Sequence, residues 1–328
     1  MEELETINED EVFAEVWSRC GDRVDDVQQK LRQAVRGGGQ VFAIAAAIVG
    51  ALVLVLLCCR SGMTTLAALA GAVIAGIAGV FRWHTLHRMA VAEFKNAVVP
   101  AVLQVMAPDM KYSPGGCIPC SKFHASGLFP YPDRYRGEDY FKGSFRGVEL
   151  GFSEVNAEKK HTTTSKGQTR TYYTTIFKGI YMIADFHKNF RFDLLVVPDV
   201  AERSFGSLVG NFLQKMNVTR SGRLMKMEDP EFEKYFAVYG RDEIETRYIL
   251  SPAMMRRMLE LRGLFRSDMF FAFVDSRVHI AIKTGVRDFF EPAPKNPEFA
   301  LRRLIHELAV CLAPIIELRL NIKIWSKE

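Results

Sequence analysis

The chain has 328 residues with a formal net charge of +5, and 48% of its residues are hydrophobic. This mild charge, without a long Lys/Arg-rich run, disfavours a nucleic-acid-binding protein. Six cysteines in a chain of this length do not make a disulfide-stapled scaffold, so we expect them to be reduced in a cytosolic domain.

Residues 1–39 form an acidic arm, with ten acidic residues among the first 26. Its apolar residues recur at helical spacing and comprise Phe13, Val16, Trp17, Val24, Val27 and Leu31. This pattern predicts an amphipathic helix that packs on the protein's own body. A helix that docks a partner is the alternative. Gly37-Gly38-Gly39 predicts a flexible joint after the arm.

Val41 to Cys59 is a run of nineteen uncharged residues. As a helix it would be about 28 Å long, close to the hydrocarbon thickness of a bilayer. Eleven of its residues are Val, Ile, Leu or Phe, which favour insertion by several kcal/mol. The run therefore predicts a first transmembrane helix. It begins after about forty mostly polar residues and is too long for the apolar region of a signal peptide, which argues against a cleaved signal peptide.

Thr64 to Phe81 predicts a second span after a tight reversal at Arg60–Met63, so residues 40–82 would form a transmembrane hairpin. Small residues recur along both spans: Ala67, Gly71, Ala75 and Gly79 in the second, and Ala43, Ala47 and Ala51 in the first. Such stripes let helix backbones approach closely. They favour packing of the two spans against each other, with homo-oligomerisation as the alternative.

Basic residues flank the two spans on the side of the chain termini: Lys30, Arg32, Arg36, Arg82, Arg88 and Lys95. The connecting turn offers Arg60 alone. The positive-inside rule therefore predicts a multi-pass protein with both termini in the cytoplasm.

After a juxtamembrane helix in residues 83–110, residues 111–328 predict a cytosolic domain. Strands are expected at 140–145, 148–155, 172–186, 192–197, 224–227, 235–239, 269–274 and 278–284. The first two flank a turn at Arg146-Gly147 and the last two flank Asp275–Arg277, so each pair predicts a β-hairpin. Helices are expected at 204–216, at 252–264 with Ser251 as its cap, and at 297–320 with Asn296 as its cap and Phe299 on its core face. Strands and helices follow in groups without a βαβ rhythm. The order predicts an α+β fold around a mainly antiparallel sheet with packed helices.

Cys117 and Cys120 have the C-x-x-C spacing of redox motifs. With His124 they also have the spacing of three zinc ligands, although no fourth ligand is evident. A tight turn without chemistry is the simplest interpretation. No other cofactor is expected.

Carboxylates at Glu138, Asp139, Glu154, Asp185 and Glu245 would suit acid–base chemistry, but no spacing connects them. Residues 158–170 predict a mobile basic loop that either contacts anionic lipid or is a solvated tip. Its cations are Lys159, Lys160, Lys166 and Arg170.

Several short stretches resemble an uncharacterised bacterial family of membrane proteins, named only as a domain of unknown function. They are Phe123–Phe129, Gly137–Tyr140, Phe152–Glu154, Thr175–Gly179 and Arg247–Pro252. The resemblance runs roughly from Lys95 to Pro294. It implies two N-terminal transmembrane helices, a cytosolic domain and a bacterial inner-membrane location, but no catalytic residue. Cys117 and Cys120 do not carry it.

The absence of a recognisable catalytic constellation favours a membrane-anchored interaction module that binds a protein partner or a lipid surface. A membrane-tethered metal or thiol protein centred on Cys117, Cys120 and His124 is the alternative. An enzyme that uses Glu138, Asp139 or Glu154 is a third hypothesis.

Overall fold

The computed structural model describes residues 7–58, 62–165, 168–199, 222–285, 288–292 and 296–320. For part of residues 38–75 it describes the backbone without the side chains. The described helices are α1 (Glu9–Cys58), α2 (Gly62–Met106), α3 (Cys120–Ala125), α4 (Pro230–Tyr235), α5 (Glu243–Ile249), α6 (Pro252–Phe265) and α7 (Pro297–Glu317). The described strands are β1 (Met110–Ser113), β2 (Arg134–Phe145), β3 (Val148–Ser165), β4 (Gln168–Asp185), β5 (Leu194–Pro198), β6 (Arg223–Met225), β7 (Phe236–Gly240), β8 (Met269–Val274) and β9 (Arg277–Lys283).

These strands form one antiparallel sheet in the order β1-β2-β3-β4-β9-β8-β5-β7-β6. The predicted α+β class with a mainly antiparallel sheet is confirmed. The predicted hairpin between β8 and β9 is also present, and its turn residues Asp275 and Ser276 have φ of 49° and 57°. Positive φ at both central residues matches the right-handed twist of the flanking strands.

The predicted helix ends are confirmed where capping residues define them. Ser251 caps α6 by accepting a hydrogen bond from the Met254 N–H at 3.3 Å. Asn296 accepts one from the Phe299 N–H at 2.8 Å ahead of α7. Phe299, however, was expected on the core face and is 41% exposed. The helix predicted over residues 204–216 lies outside the described residues.

The prediction of a mobile loop over residues 158–170 is wrong. The two strands β3 and β4 are each 18 residues long and stay paired from Leu150↔Ala184 to Ser165↔Gln168. Because Thr is β-branched, the Thr-rich sequence suits a strand even where neither face is buried. The outer part of this hairpin, residues 159–174, has no further neighbouring strand among the described residues, and we call it the hairpin arm.

The chain divides into two compact units. The sheet unit contains residues 106–290 and 307–328, and the helical unit contains residues 9–105 and 291–306. In the helical unit, α1 buries Val16, Val24, Val27 and Leu31, while α2 buries Phe94, Val98, Val99 and Val102. Lys30 of α1 pairs with Glu93 of α2 at 2.8 Å, and Arg302 of α7 pairs with Asp10 at 2.8 Å. The acidic arm is therefore an amphipathic helix packed on the protein's own body.

The flexible joint predicted at Gly37–Gly39 is wrong, because α1 continues through these residues without interruption. The helix is instead broken at Cys20, where φ is −144°. Apolar side chains on both sides of that position still face the same helical core. The break therefore bends one packed helix and does not separate the arm from the rest of α1.

The described part of α2 changes character along its length. Val73, Ile74, Ile77 and Phe81 are 55%, 66%, 65% and 74% exposed, whereas most of the large apolar side chains from Phe94 onward are buried. Among the described residues, one segment, Gly76–Met106, is long and apolar enough to cross a membrane, with a mean hydropathy of 1.3 and 44% of its window buried. By length and composition, this segment of the described chain is therefore able to cross a membrane.

Most residues of the predicted small-residue stripes have side chains outside the described part of the structure. The side chains of Ala43, Ala67, Gly71 and Ala75 belong to the undescribed part, although their backbone is helical. Ala47 and Ala51 are exposed, and Gly79 is partly exposed. Packing between the two spans therefore stays a prediction.

Candidate functional site

Three carboxylates of the sheet unit meet where strand β2 is irregular. Glu138 lies opposite Glu154 of β3, and the register then shifts between Glu138 and Phe141. Asp139, inside this bulge, has φ of 56°, a left-handed conformation that Asp tolerates better than most residues. Ligand oxygens of Glu138, Asp139 and Glu154 all lie within 4.8 Å of one another. The bulge thus brings the three carboxylates close together, and we call them the carboxylate cluster.

Neighbouring groups hold two of these carboxylates in place. Asp139 is fully buried, and its side chain accepts a hydrogen bond from the Tyr112 hydroxyl. Its own N–H donates to the Pro114 carbonyl at 3.0 Å. Glu154 accepts a hydrogen bond from the Phe289 N–H. The cluster is therefore anchored by segments that are far apart in sequence.

Burial raises the pKa of Glu154 to about 8, and the nearby Asp139 carboxylate acts in the same direction. The hydrogen bond from Phe289 opposes this shift but does not cancel it. A carboxylic acid with a pKa near neutrality is able to donate and accept a proton under ordinary conditions. Glu154 is therefore the member of the cluster that suits acid–base chemistry.

A cleft of about 220 Å³ opens beside the cluster. Its charged and polar lining includes Arg136, Glu138, Glu154, Asn156, Lys178 and Asp288. Lys178 and Asp288 form an ion pair at 3.0 Å across it. The Asn156 Oδ1 atom is buried and accepts no hydrogen bond in the described part of the chain. The cleft therefore offers both charges and one unused acceptor to a small polar molecule.

The segment that contains Cys117 lies against Gly137, next to the carboxylate cluster. A Cβ atom on Gly137 would come within 2.6 Å of the Cys117 Cβ and 2.4 Å of the Glu154 carbonyl oxygen. Ile118 is fixed on both sides, since its N–H donates to Ser153 Oγ at 3.0 Å and its carbonyl accepts from the Tyr135 hydroxyl at 2.7 Å. The segment therefore forms a wall of the fold, and Gly137 is required for its close approach.

The structure does not bring the three proposed metal ligands together. Among the described residues, the carboxylate cluster is the group of three His, Cys, Asp or Glu side chains whose ligand atoms converge, and Cys117, Cys120 and His124 do not form such a group. His124 packs edge-on against Tyr131, with ring centroids 5.1 Å apart. Burial raises the pKa of both thiols, so both are protonated at neutral pH.

The basic residues expected to meet lipid lie on the hairpin arm. Lys159 is engaged, because it donates to the Tyr131 carbonyl at 2.9 Å and pairs with Asp133 at 3.1 Å. Lys160 and Arg170 are exposed, whereas Lys166 lies outside the described residues. Tyr172, on the same arm, is 51% exposed. The arm therefore presents cations and an aromatic ring on a strand scaffold.

Sequence reasoning named five carboxylates without linking them. Glu138, Asp139 and Glu154 form the cluster, whereas Asp185 and Glu245 do not belong to it. Glu138 and Glu154 are placed by the β2–β3 hairpin, which the sequence does predict. Asp139 joins them because of the bulge, for which an Asp next to another acid is a weak signal. Lys178 and Asp288 were missed, since their pairing depends on contacts between distant segments.

Comparison with known proteins gives two partial family matches. The profile of a family described as a protein of unknown function (DUF3137) matches residues 175–320. The profile of a family described as urea transporter matches residues 2–92. No curated protein and no solved structure matches the chain. The first match agrees with the expected domain of unknown function, and the second makes membrane association plausible, but neither covers half of the chain.

Proposed function

We propose that the protein is a membrane-anchored binding module, held in a bacterial inner membrane by α1 and α2, whose sheet unit binds a protein partner or lipid surface on the cytoplasmic side. The observation that carries the proposal is the exposed apolar surface of α2 between Val73 and Phe81. A water-exposed helix would not sustain so many large apolar side chains. An apolar surface of this kind is stable in contact with lipid chains.

The flanks of the helices support the same placement. Arg82, Trp83, His84, His87 and Arg88 follow the exposed apolar surface directly, and aromatic and basic residues of this kind prefer the membrane interface. The Lys30–Glu93 ion pair sets α1 and α2 side by side. Counting outward from it, Arg36 of α1 lies at about the level of His87. Both helices therefore leave the interface at a common depth, and each has enough residues beyond it to span about 30 Å.

Membrane fractionation tests the anchor. We expect full-length protein to remain in the membrane pellet after a sodium carbonate wash and to need detergent for extraction. Recovery in the aqueous fraction without detergent would contradict the anchor.

Labelling with a membrane-impermeant maleimide tests the orientation. The parent is a Cys58→Ser, Cys59→Ser variant, in which we expect intact cells to leave the other cysteines unlabelled. Adding Ser61→Cys to this parent is expected to give labelling from outside. Labelling of the parent itself would place the sheet unit on the opposite side.

The hairpin arm is the surface that we propose for lipid contact. Each favourably placed cation contributes about 1 kcal/mol on anionic membrane. We expect Arg170→Gln with Lys160→Gln to weaken attachment of the arm to vesicles of phosphatidylglycerol, read as lost protection of the arm from proteolysis. Phosphatidylcholine vesicles are the control. Equal protection of the variant and the wild-type protein would exclude the arm as the lipid contact.

A second candidate function is acid–base catalysis in the cleft, favoured by the raised pKa of Glu154 beside Lys178 and Asp288. An untargeted activity screen of the full-length protein tests it. Turnover that Glu154→Gln abolishes, and that Glu149→Gln leaves intact, would establish an enzyme. Turnover that both variants retain would place the chemistry elsewhere.

A metal or thiol centre at Cys117, Cys120 and His124 has less support, because the three side chains do not converge. Elemental analysis of the purified full-length protein decides it directly. Stoichiometric zinc that disappears in a Cys117→Ser, Cys120→Ser variant would restore this alternative.

A further inference from the structure

A second depression lies on the sheet unit, beside α3. It has a volume of about 400 Å³, within the range of small-molecule pockets. Its basic side chains are Lys122, Lys142 and Arg277, and we call it the basic groove. The carboxylate cluster does not contribute to it.

Strand register explains why the groove exists. Lys142 of β2, Gly151 of β3 and Ile183 of β4 are consecutive partners across the sheet. Gly151, in the middle of this row, has no side chain, and the Tyr140 ring takes part of the space above it. Ile118 and Lys122 rise on one side from the segment that leads into α3, and Tyr140 forms another wall. The apolar side chains of the floor and walls, Ile118, Ile183 and Tyr140, therefore lie among charged ones.

The charges of the groove come from three separate elements: Lys122 from α3, Lys142 from β2 and Arg277 from β9. In the part of the chain that the structure describes, none of the three lies within ion-pair distance of a carboxylate. Two acids also line the groove, Glu149 and Asp185, and Asp185 lies 3.5 Å from His187. The lining therefore carries one positive charge in excess.

The buried side chain of His279, next to the groove, is affected by the same positive charges. His279 follows Ile183 in the cross-strand row and is 6% exposed. After burial itself, Arg277 and Lys122 are the groups that lower its pKa. Two cations of the groove thus act together on one point beneath it, although they come from different elements.

We propose that the basic groove binds a small soluble organic anion, a phosphate or carboxylate attached to an apolar group. The anionic group meets Lys122, Lys142 and Arg277, while the apolar group lies over Ile183 and against Tyr140. Arginine and lysine at the rim supply charge-assisted hydrogen bonds, and the apolar floor removes carbon surface from water. This inference goes beyond the anchor, and it is tested in detergent solution, where failure of the anchor would not affect it.

Isothermal titration of the full-length protein in neutral detergent micelles tests the groove with 1-naphthyl phosphate as the probe. Inorganic phosphate and 1-naphthol are the comparison probes. We expect 1-naphthyl phosphate to bind more tightly than either comparison probe, because each carries one half of the required chemistry. Equal or weaker binding of 1-naphthyl phosphate would overturn the proposal.

Charge variants locate the binding. We expect Arg277→Gln and Lys142→Gln each to weaken binding about tenfold, the loss of one charge-assisted contact. Arg256→Gln, an exposed position on α6, is the matched control and should bind as the wild-type protein does. A control that weakens binding as much as the groove variants would show non-specific attraction and overturn the proposal. Competition by phosphatidylglycerol in the micelles would overturn the assignment to a soluble anion.

Discussion

The Tyr181 hydroxyl and the Nδ1 atom of His279 lie 2.9 Å apart inside the sheet unit, on the neighbouring strands β4 and β9. Both side chains are buried, and Phe123 packs against the Tyr181 ring at 4.9 Å. Burial lowers the pKa of His279 to about 4. The pair is therefore a neutral hydrogen bond in the core at physiological pH.

This burial predicts an acid-sensitive contribution to folding. Between pH 6.5 and about 4 the unfolded chain binds a proton at His279 that the folded chain does not, so stability falls as the pH falls through this window. We expect His279→Gln to remove roughly 3 kcal/mol of that loss. Urea unfolding at several pH values, followed by circular dichroism, measures the difference between the variant and the wild-type protein. Parallel pH curves would contradict a neutral buried His279.

Glu154 predicts the opposite dependence. Its folded pKa of about 8 exceeds the unfolded value of 4.5, so the folded chain holds the extra proton between these values, and stability falls as the pH rises through them. We expect Glu154→Gln to gain stability over the wild-type protein on going from pH 5 to pH 9, by up to about 4 kcal/mol. Glu149→Gln, exposed on the same strand, is the control and should show no such gain. A pH-independent difference would show that Glu154 is ionised throughout.

The close approach of the Glu154 carbonyl to Gly137 predicts that a larger residue cannot replace this glycine. An added Cβ would lie 2.4 Å from the Glu154 carbonyl oxygen, and backbone atoms cannot move aside cheaply. We expect Gly137→Ala to destabilise the protein by about 2–4 kcal/mol. Gly115→Ala, where an added Cβ meets nothing within 4 Å, should change stability by less than about 1 kcal/mol. Thermal unfolding of both variants gives the comparison, and similar losses would contradict the steric explanation.

Two ion pairs of the helical unit are expected to contribute differently to the free energy of unfolding. The side chain of Lys95 is 5% exposed and pairs with Glu291 at 2.6 Å, whereas Arg302 and Asp10 are 46% and 87% exposed. We expect Glu291→Gln to cost about 1–3 kcal/mol, since it weakens the pairing of a buried charge. Asp10→Asn should cost much less, because water replaces an exposed partner. Equal costs, measured by chemical unfolding, would show that burial of Lys95 does not matter.

Local signals predicted much of the sheet unit. The β2–β3 and β8–β9 hairpins were recognisable from apolar strands on either side of short turns, and α6 from Ser251 ahead of a proline. These features depend on residues close in sequence, so a single chain displays them. The hairpin arm was missed because its strands bury nothing and lack the alternation of polar and apolar residues that marks a half-buried strand.

The sites were harder to predict for a different reason. Glu154 owes its raised pKa chiefly to burial and then to Asp139, which a bulge places beside it. Its hydrogen-bond donor, the Phe289 N–H, is more than a hundred residues away in the sequence. The basic groove likewise depends on Gly151 lying between Lys142 and Ile183 across three strands. No spacing in the sequence encodes such rows, because each depends on how separate hairpins align.

Strand order also has a consequence for how the protein is made. The hairpin β8–β9 occupies the middle of the sheet, between the early meander β1–β4 and the strands β5, β7 and β6. A ribosome delivers this central hairpin late, after its neighbours on both sides have emerged. The first four strands can therefore pair during synthesis. The strands β5, β6 and β7 keep one edge unpaired until residues up to about 283 have emerged. By then the two long helices have already left the exit tunnel, so the sheet is expected to close only after these helices are free to pack against each other.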